Sequence, residues 1–148
     1  MRDSFLKRIE ILLRRFLILV FGFFIRRRNL PPNAIDFNSS KILFIRQDRI
    51  GDVLVSTPIF ASVKAHYPSA IIDVLLSENN HFVLMNDPFI RKRWTYQKKI
   101  NKVISLVKSI REEKYDFAVD MMDNPSVTST ILCLLSGARW NVGIAKES

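Results

Sequence analysis

Glycine is scarce in this chain, which has four glycines among 148 residues. A dinucleotide-binding turn between a strand and a helix requires three closely spaced glycines. Gly51 lies in a turn of that kind, but Gly22, Gly137 and Gly143 are far from it in the sequence. The sequence therefore argues against a dinucleotide site at Gly51, and no cofactor is expected.

Cysteine and histidine are equally rare, with one cysteine and two histidines. Cys133 cannot form a disulfide within the chain, which is typical of proteins from reducing compartments. Its apolar, helix-like surroundings predict a small buried side chain. His66 and His81 have no cysteine or carboxylate cluster at metal-ligand spacing, so no metal site is expected.

The positive charge is concentrated at the N-terminus. The formal net charge is +9, and residues 1–28 contribute +6 of it through eight Lys or Arg and two acidic residues. These basic residues are interspersed with large apolar ones, a pattern that favours an anionic membrane surface. Nucleic acid is disfavoured as a partner, because no basic stripe interleaved with aromatic residues follows Arg28.

Residues 1–28 are predicted to form a basic amphipathic helix that faces a membrane. The apolar run 16–25 would give about 15 Å of helix, about half of what a membrane span requires. A helix packed on a partner, a secretory signal and a spanning anchor remain alternatives, although 26–28 are arginines where signal cleavage needs small residues. Residues 29–40, which contain two consecutive prolines, are interpreted as a linker.

The stretch 41–58, KILFIRQDRIGDVLVSTP, is the most informative part of the chain. Its first six residues form an apolar run of strand length, and Gly51 and Asp52 then lead into a helical pattern. The first turn of a helix has unpaired N–H groups and a positive dipole end, which keep a carboxylate there ionised. The spacing leaves open whether Asp52 takes part in chemistry or only caps the helix.

From residue 41 onward, strand patterns and helix patterns alternate. This alternation predicts an α/β, Rossmann-like parallel sheet with helices on both faces. Ligands in such sheets bind beyond the carboxyl ends of the strands, here residues 47–52, 77–80 and 122–126. The predicted strands are 41–46, 70–76, 91–97, 115–121 and 139–144, and the predicted helices are 52–66, 78–85, 101–114 and 126–135.

Several segments resemble the ADP-heptose:lipopolysaccharide heptosyltransferases, the family 9 glycosyltransferases. The most specific is IRQDRIGDVLVSTP, and weaker matches follow it in the same order as in the family over residues 41–144. They lie at 45–58, 62–68, 72–75, 115–120, 135–139 and 142–144. The resemblance implies the N-terminal half of a GT-B architecture, in which two Rossmann-like halves enclose the active site.

The resemblance marks Asp52 as the catalytic carboxylate, a base that takes the proton from the acceptor hydroxyl during attack on the donor's anomeric carbon. Gly51 would let the acceptor approach the backbone closely. Arg49 would meet an acidic sugar or a phosphate, or else be a solvated turn residue.

One segment departs from the family pattern. A glycine and a basic residue are usual after the strand that ends near residue 120, whereas this chain has Asp123, Asn124, Pro125 and Ser126. The departure puts the identity of the acceptor in doubt. Asn124 is retained as a hydrogen-bonding candidate for the acceptor, with a turn residue before Pro125 as the alternative.

The functional hypothesis is an acceptor-binding half, residues 41–148, of an enzyme that transfers a sugar from a nucleotide-sugar of the ADP-heptose type to lipopolysaccharide core. The donor-binding domain is expected to be absent, so the chain alone would be inactive. Its helix would hold it on the cytoplasmic face of the inner membrane, beside the lipid-linked acceptor. The alternative is a non-catalytic membrane-associated binding module or a truncated remnant.

The predicted N-terminal helix can be tested with lipid vesicles. We expect the chain to co-sediment with vesicles that contain anionic lipid, because basic and large apolar residues are combined in residues 4–25. Removal of residues 1–30 should release it. Equal sedimentation with and without this segment would remove the membrane interpretation.

Overall fold

The structure, a computed structural model, describes residues 36–122 and 126–143. The predicted helix over 1–28 and the candidate residue Asn124 lie outside these ranges. Strands and helices alternate along the described part of the chain. The elements are β1 (Lys41–Ile45), α1 (Ile50–His66), β2 (Ile71–Ser77), β3 (Lys92–Tyr96), α2 (Ile100–Glu112), β4 (Phe117–Asp120), α3 (Val127–Leu135) and β5 (Trp140–Gly143), with short 3-10 helices at Phe37–Ser39 and His81–Leu84.

The five strands form one parallel sheet in the order β3-β2-β1-β4-β5. The chain builds outward from β1 to β3 and then returns to add β4 on the other side of β1. This arrangement confirms the predicted Rossmann-like fold, and it makes the gap between β1 and β4 the topological switch point. Ligands of open parallel sheets bind at such a point, outside the carboxyl ends of the strands.

Helices cover both faces of the sheet, as predicted. Ile42 and Phe44 of β1 point to one face and pack with Val53 and Phe60 of α1. The alternate residues of β1 point to the other face and pack against α2 and α3. That second group comprises Leu43, Ile45, Leu75, Leu106, Ile110, Tyr115, Ala118, Leu132 and Cys133. The alternation follows from the two-residue period of a strand, and Cys133 is buried as expected.

Helix α1 begins at Ile50, two residues before the position expected from the sequence. Its N-cap residue is Arg49, which makes no side-chain capping hydrogen bond, and Asp52 is the third residue of the first turn. The interpretation of Asp52 as the N-cap residue is therefore wrong, because Arg49 occupies that position. The helix continues through Pro58, which has no N–H to donate to the carbonyl of Leu54. That carbonyl instead accepts a hydrogen bond from the Thr57 hydroxyl at 2.8 Å.

The folded region begins before Lys41. Asp36 caps the first 3-10 helix by accepting a hydrogen bond from the Asn38 N–H at 3.0 Å. The Phe37 ring then stacks on Phe117 of β4, with 5.3 Å between the ring centroids. Residues just before Lys41 therefore pack against the sheet as well.

A buried ionic network closes the amino edge of the sheet. Asp73 of β2 is completely buried, and its carboxylate accepts hydrogen bonds from Arg91 and from the Tyr115 hydroxyl. Arg91 also contacts Glu113 at 2.7 Å, and Glu113 accepts further bonds from Lys92 at 3.1 Å and Lys41 at 3.2 Å. The buried charge of Asp73 is thus paired and hydrogen-bonded, as a charge removed from water must be.

This network predicts a pH-dependent contribution to stability. The bonds from Arg91, Lys92 and Lys41 lower the pKa of Glu113 from its ordinary 4.5 to about 2. Because the folded-state pKa is the lower one, the stabilisation is present above pH 4.5 and is lost as the pH falls towards 2. We expect Glu113→Gln to reduce the free energy of unfolding by about 1 kcal/mol at pH 7.

Urea unfolding at several pH values measures this difference, and it should vanish near pH 2. Glu112→Gln is the matched control, since Glu112 is the exposed neighbour. A difference between Glu113→Gln and the parent that stays constant from pH 7 to pH 2 would contradict the ionic account.

Candidate functional site

The candidate site lies at the carboxyl edge of the sheet, where β1, β2 and β4 end side by side. The turn from β1 into α1 contributes Arg46, Gln47, Asp48 and Arg49, and the first turn of α1 contributes Asp52. The end of β4 contributes Asp120, and the turn after β2 contributes Asn80. The fold therefore brings together at the switch point residues that are up to 74 positions apart in the chain.

Asp52 is the most accessible carboxylate of this turn. Its side chain is 37% exposed, and its Oδ1 atom lies 3.9 Å from Nη2 of Arg46. The position in the first turn of α1 places it at the positive end of the helix dipole. A carboxylate that is held near a cation and remains open to solvent can accept a proton from a bound hydroxyl group.

Arg46 connects the elements around Asp52. Its guanidinium is almost fully buried and donates hydrogen bonds to the carbonyl of Met121, after β4, and to the carbonyl of Asp52, at 3.3 Å. Nε also lies 3.3 Å from Oδ1 of Asp48. One side chain thus joins the end of β1, the turn that follows it, the start of α1 and the end of β4.

Asn80 connects the same turn to β2. It is completely buried, and its Nδ2 donates to the carbonyls of Asp48 at 3.0 Å and Arg46 at 3.4 Å. Its Oδ1 accepts a bond from the N–H of Ser77 at 2.8 Å. The sequence analysis placed 77–80 at this edge but did not single out Asn80. Nothing in the local sequence shows that two of its three hydrogen-bond partners, Arg46 and Asp48, lie more than 30 residues away.

The other predicted site residues have less contact with the rest of the chain. Arg49 is exposed at the start of α1. A Cβ atom added to Gly51 would meet nothing within 4 Å, so the described chain does not itself require glycine there. The open space beside Gly51 is compatible with close approach of a ligand to the backbone. Asn124 lies outside the described residues.

A cleft of about 350 Å³ opens at the switch point. Val55, Ser56 and Ile59 of α1 form one wall, and the end of β4 forms the other. The lining is completed by Phe44, Arg46, Val119, Asp120 and Met121. Asp52 is outside this lining, but its Oδ1 lies 3.9 Å from Nη2 of Arg46, which is part of it. The cleft therefore offers apolar walls, with the carboxylate of Asp120 in its lining and the carboxylate of Asp52 next to Arg46.

Asp120 is a further polar residue of the cleft that the sequence analysis did not select. Its Oδ1 accepts from the N–H of Met122 at 3.0 Å, and its Oδ2 accepts from the Ser129 hydroxyl at 2.8 Å. Each carboxylate oxygen can accept a second bond, so Asp120 can also bind a ligand hydroxyl. In residues 36–122 and 126–143, no three His, Cys, Asp or Glu side chains are grouped to hold a metal ion.

The described helices include none that is long and apolar enough to cross a membrane. This finding covers only the residues that the structure describes.

Comparison with known proteins supports the resemblance seen in the sequence. The chain is 32% identical over 91 residues to lipopolysaccharide heptosyltransferase 3 of Escherichia coli K12, an alignment that covers 57% of the chain. The solved E. coli ADP-heptose lipopolysaccharide heptosyltransferase II has 29% identity and a TM-score of 0.60, covering 70% of this chain and 30% of that one. No protein-family profile matches the chain.

A further solved structure supports the fold alone. The family 9 glycosyltransferase from Veillonella parvula has a TM-score of 0.67 at 19% identity, covering 76% of this chain and 34% of that one. The chain spans only 26 to 28% of the length of the curated relatives that it matches. The resemblance to the N-terminal portion of the family 9 heptosyltransferases is thereby confirmed.

The role of Asn80 can be tested by stability. Asn80→Ala leaves two carbonyls and one N–H without their partner, so we expect a loss of about 2–3 kcal/mol in the free energy of unfolding. Urea denaturation measures it. The exposed neighbour supplies the control Asn79→Ala, which should change stability by less than about 0.5 kcal/mol. Similar values for the two variants would show that Asn80 does not hold the turn.

Proposed function

We propose that this chain is the acceptor-binding part of a heptosyltransferase that transfers a heptose from ADP-heptose to lipopolysaccharide core. The observation that supports the proposal is the position of Asp52 in the first turn of α1, 37% exposed and 3.9 Å from Arg46, a residue that lines the switch-point cleft. It lies in a segment that resembles the heptosyltransferases. The donor and acceptor classes are taken from the names of the relatives, an ADP-heptose lipopolysaccharide heptosyltransferase and a lipopolysaccharide heptosyltransferase 3.

In the proposed reaction Asp52 is the general base. A hydroxyl oxygen of the acceptor attacks the anomeric carbon of the donor while its proton moves to the Asp52 carboxylate. The bond between the anomeric carbon and the diphosphate breaks, and ADP leaves with the electron pair. The carboxylate also stabilises the positive charge that develops on the sugar ring in the transition state.

The cleft beside Asp52 is the proposed acceptor site. The C–H face of a sugar ring suits the apolar walls formed by Val55 and Ile59, while its hydroxyl groups can donate to Asp120. Arg49, Gly51 and Asn124 are kept as further acceptor-binding residues. Their contribution is a proposal from the resemblance, supported for Gly51 by the open space beside it.

In this proposal residues 41–148 bind the acceptor, and sugar transfer also requires a second, donor-binding domain. The basic segment 1–28 would hold the domain on the cytoplasmic face of the inner membrane. That location would bring the domain to the membrane that carries a lipid-linked acceptor.

The function can be tested in a chimera that restores a donor-binding domain. Residues 36–148 replace the matching N-terminal region of the E. coli heptosyltransferase II, and transfer of heptose from ADP-heptose to core acceptors is measured. We expect transfer by the chimera. We also expect loss of at least about 100-fold in kcat for Asp52→Asn, because an amide cannot accept the proton.

A thermal melt of each variant separates chemistry from stability. Asp52→Asn should melt within a few degrees of the parent, because the partly exposed carboxylate contributes a dipole interaction of about 0.3–1 kcal/mol and a long contact of 3.9 Å to Arg46, and the amide oxygen of Asn can keep that contact. Asp87→Asn, in the loop before β3, is the matched control and should keep full activity. An active Asp52→Asn enzyme would end the catalytic assignment. Acceptor binding without transfer by the parent chimera would favour a non-catalytic binding module.

A further inference from the structure

The guanidinium of Arg46 contacts two carboxylates where β1 turns into α1. Nε of Arg46 lies 3.3 Å from Oδ1 of Asp48, and Nη2 of Arg46 lies 3.9 Å from Oδ1 of Asp52. The two carboxylates are four residues apart, and the turn folds both of them towards the same cation. The side chain of Asp48 is 17% exposed, less than half the exposed fraction of Asp52.

The contact between Arg46 and Asp48 is an ion pair rather than a hydrogen bond. Nε carries a single hydrogen, and that hydrogen is donated to the carbonyl of Asp52. Oδ1 of Asp48 is buried and accepts no hydrogen bond from the described residues. The negative charge on a buried carboxylate that lacks such a hydrogen bond must be balanced by a neighbouring cation or removed by protonation.

The charges around Asp48 couple it to Asp52. Burial raises the pKa of Asp48, the charge of Arg46 and a backbone hydrogen bond oppose this, and the neighbouring Asp52 raises it further. From the β2 side the contacting residue is the neutral Asn80. Among the described residues on the β4 side, Asp120 lines the same cleft as Arg46, and its oxygens accept hydrogen bonds from Met122 and Ser129.

We infer that Asp48 is a positioning residue for Asp52, because both carboxylates share the guanidinium of Arg46. Asp48 draws the cation towards the turn and so prevents it from closing fully on Asp52. Asp52 therefore stays at 3.9 Å from Nη2, oriented but still open to the cleft. This inference rests on the proposed function, since Asp52 is positioned for proton transfer only if it is the base.

The pairing can be tested on the full chain without any activity. Carbon-13 NMR of the Asp48 carboxyl group over a pH series gives its titration midpoint. In Asp52→Asn the midpoint should move to lower pH, because the neighbouring negative charge is removed. Asp87→Asn should leave it in place. An unchanged Asp48 midpoint in Asp52→Asn would overturn the inference.

The positioning role is tested in the chimera described above. We expect Asp48→Asn to lower kcat about tenfold, with the KM for the donor unchanged within about twofold, because Arg46 then closes on Asp52. Asp48→Glu, which retains the charge, should recover part of the loss. An Asp48→Asn enzyme with the parent kcat would overturn the positioning role while the proposed function stands. If the parent chimera transfers nothing, the proposed function fails, and the NMR titration alone decides whether the pair exists.

Discussion

The burial of the Arg46 guanidinium constrains the whole carboxyl edge of the sheet. A cation removed from water must be surrounded by acceptors, and Arg46 finds them in the carbonyls of Met121 and Asp52 and in the carboxylates of Asp48 and Asp52. These acceptors belong to three separate parts of the chain. The hydrogen bonds and ion pairs of the Arg46 guanidinium therefore fix the positions of three segments relative to one another: the end of β4, the turn after β1 and the start of α1. Asn80 adds β2 to the same arrangement through three hydrogen bonds.

The carboxylates of Asp73 and Glu113 at the amino edge of the sheet accept more hydrogen bonds than those of Asp48 and Asp52 at the carboxyl edge. At the amino edge, Asp73 and Glu113 are bonded to cations and to a tyrosine hydroxyl, which satisfies their oxygens and stabilises the fold. At the carboxyl edge, Oδ1 of Asp48 accepts no hydrogen bond from the described residues, and Asp52 is open to solvent. Incomplete satisfaction is unfavourable for stability and is typical of functional sites. The contrast explains why the chemistry is assigned to one edge and stability to the other.

The cleft adds a requirement on the ligand. Its walls expose Val55 and Ile59, while its polar residues are Arg46, Ser56 and Asp120. The basic residue that the family usually carries after β4 is replaced in this sequence by Asp123 and its neighbours. An acceptor bound here would be recognised by apolar contact and by hydroxyl donors.

The sequence alone determined the order and type of the elements, because each one is encoded by its own local pattern. Apolar runs of strand length, helical periodicity and the lone Gly51 located β1, α1 and the turn that carries Asp52, with boundaries that differ by at most two residues. The start of α1 was misplaced because its N-cap residue, Arg49, makes no side-chain capping hydrogen bond, so no capping residue marks the start in the sequence. Only the tertiary structure decided which residues surround Asp52. Arg46 meets Met121 across 75 positions, and Asn80 meets Arg46 across 34. Those contacts depend on a strand order in which β2 and β4 flank β1, and no local sequence pattern predicts that order.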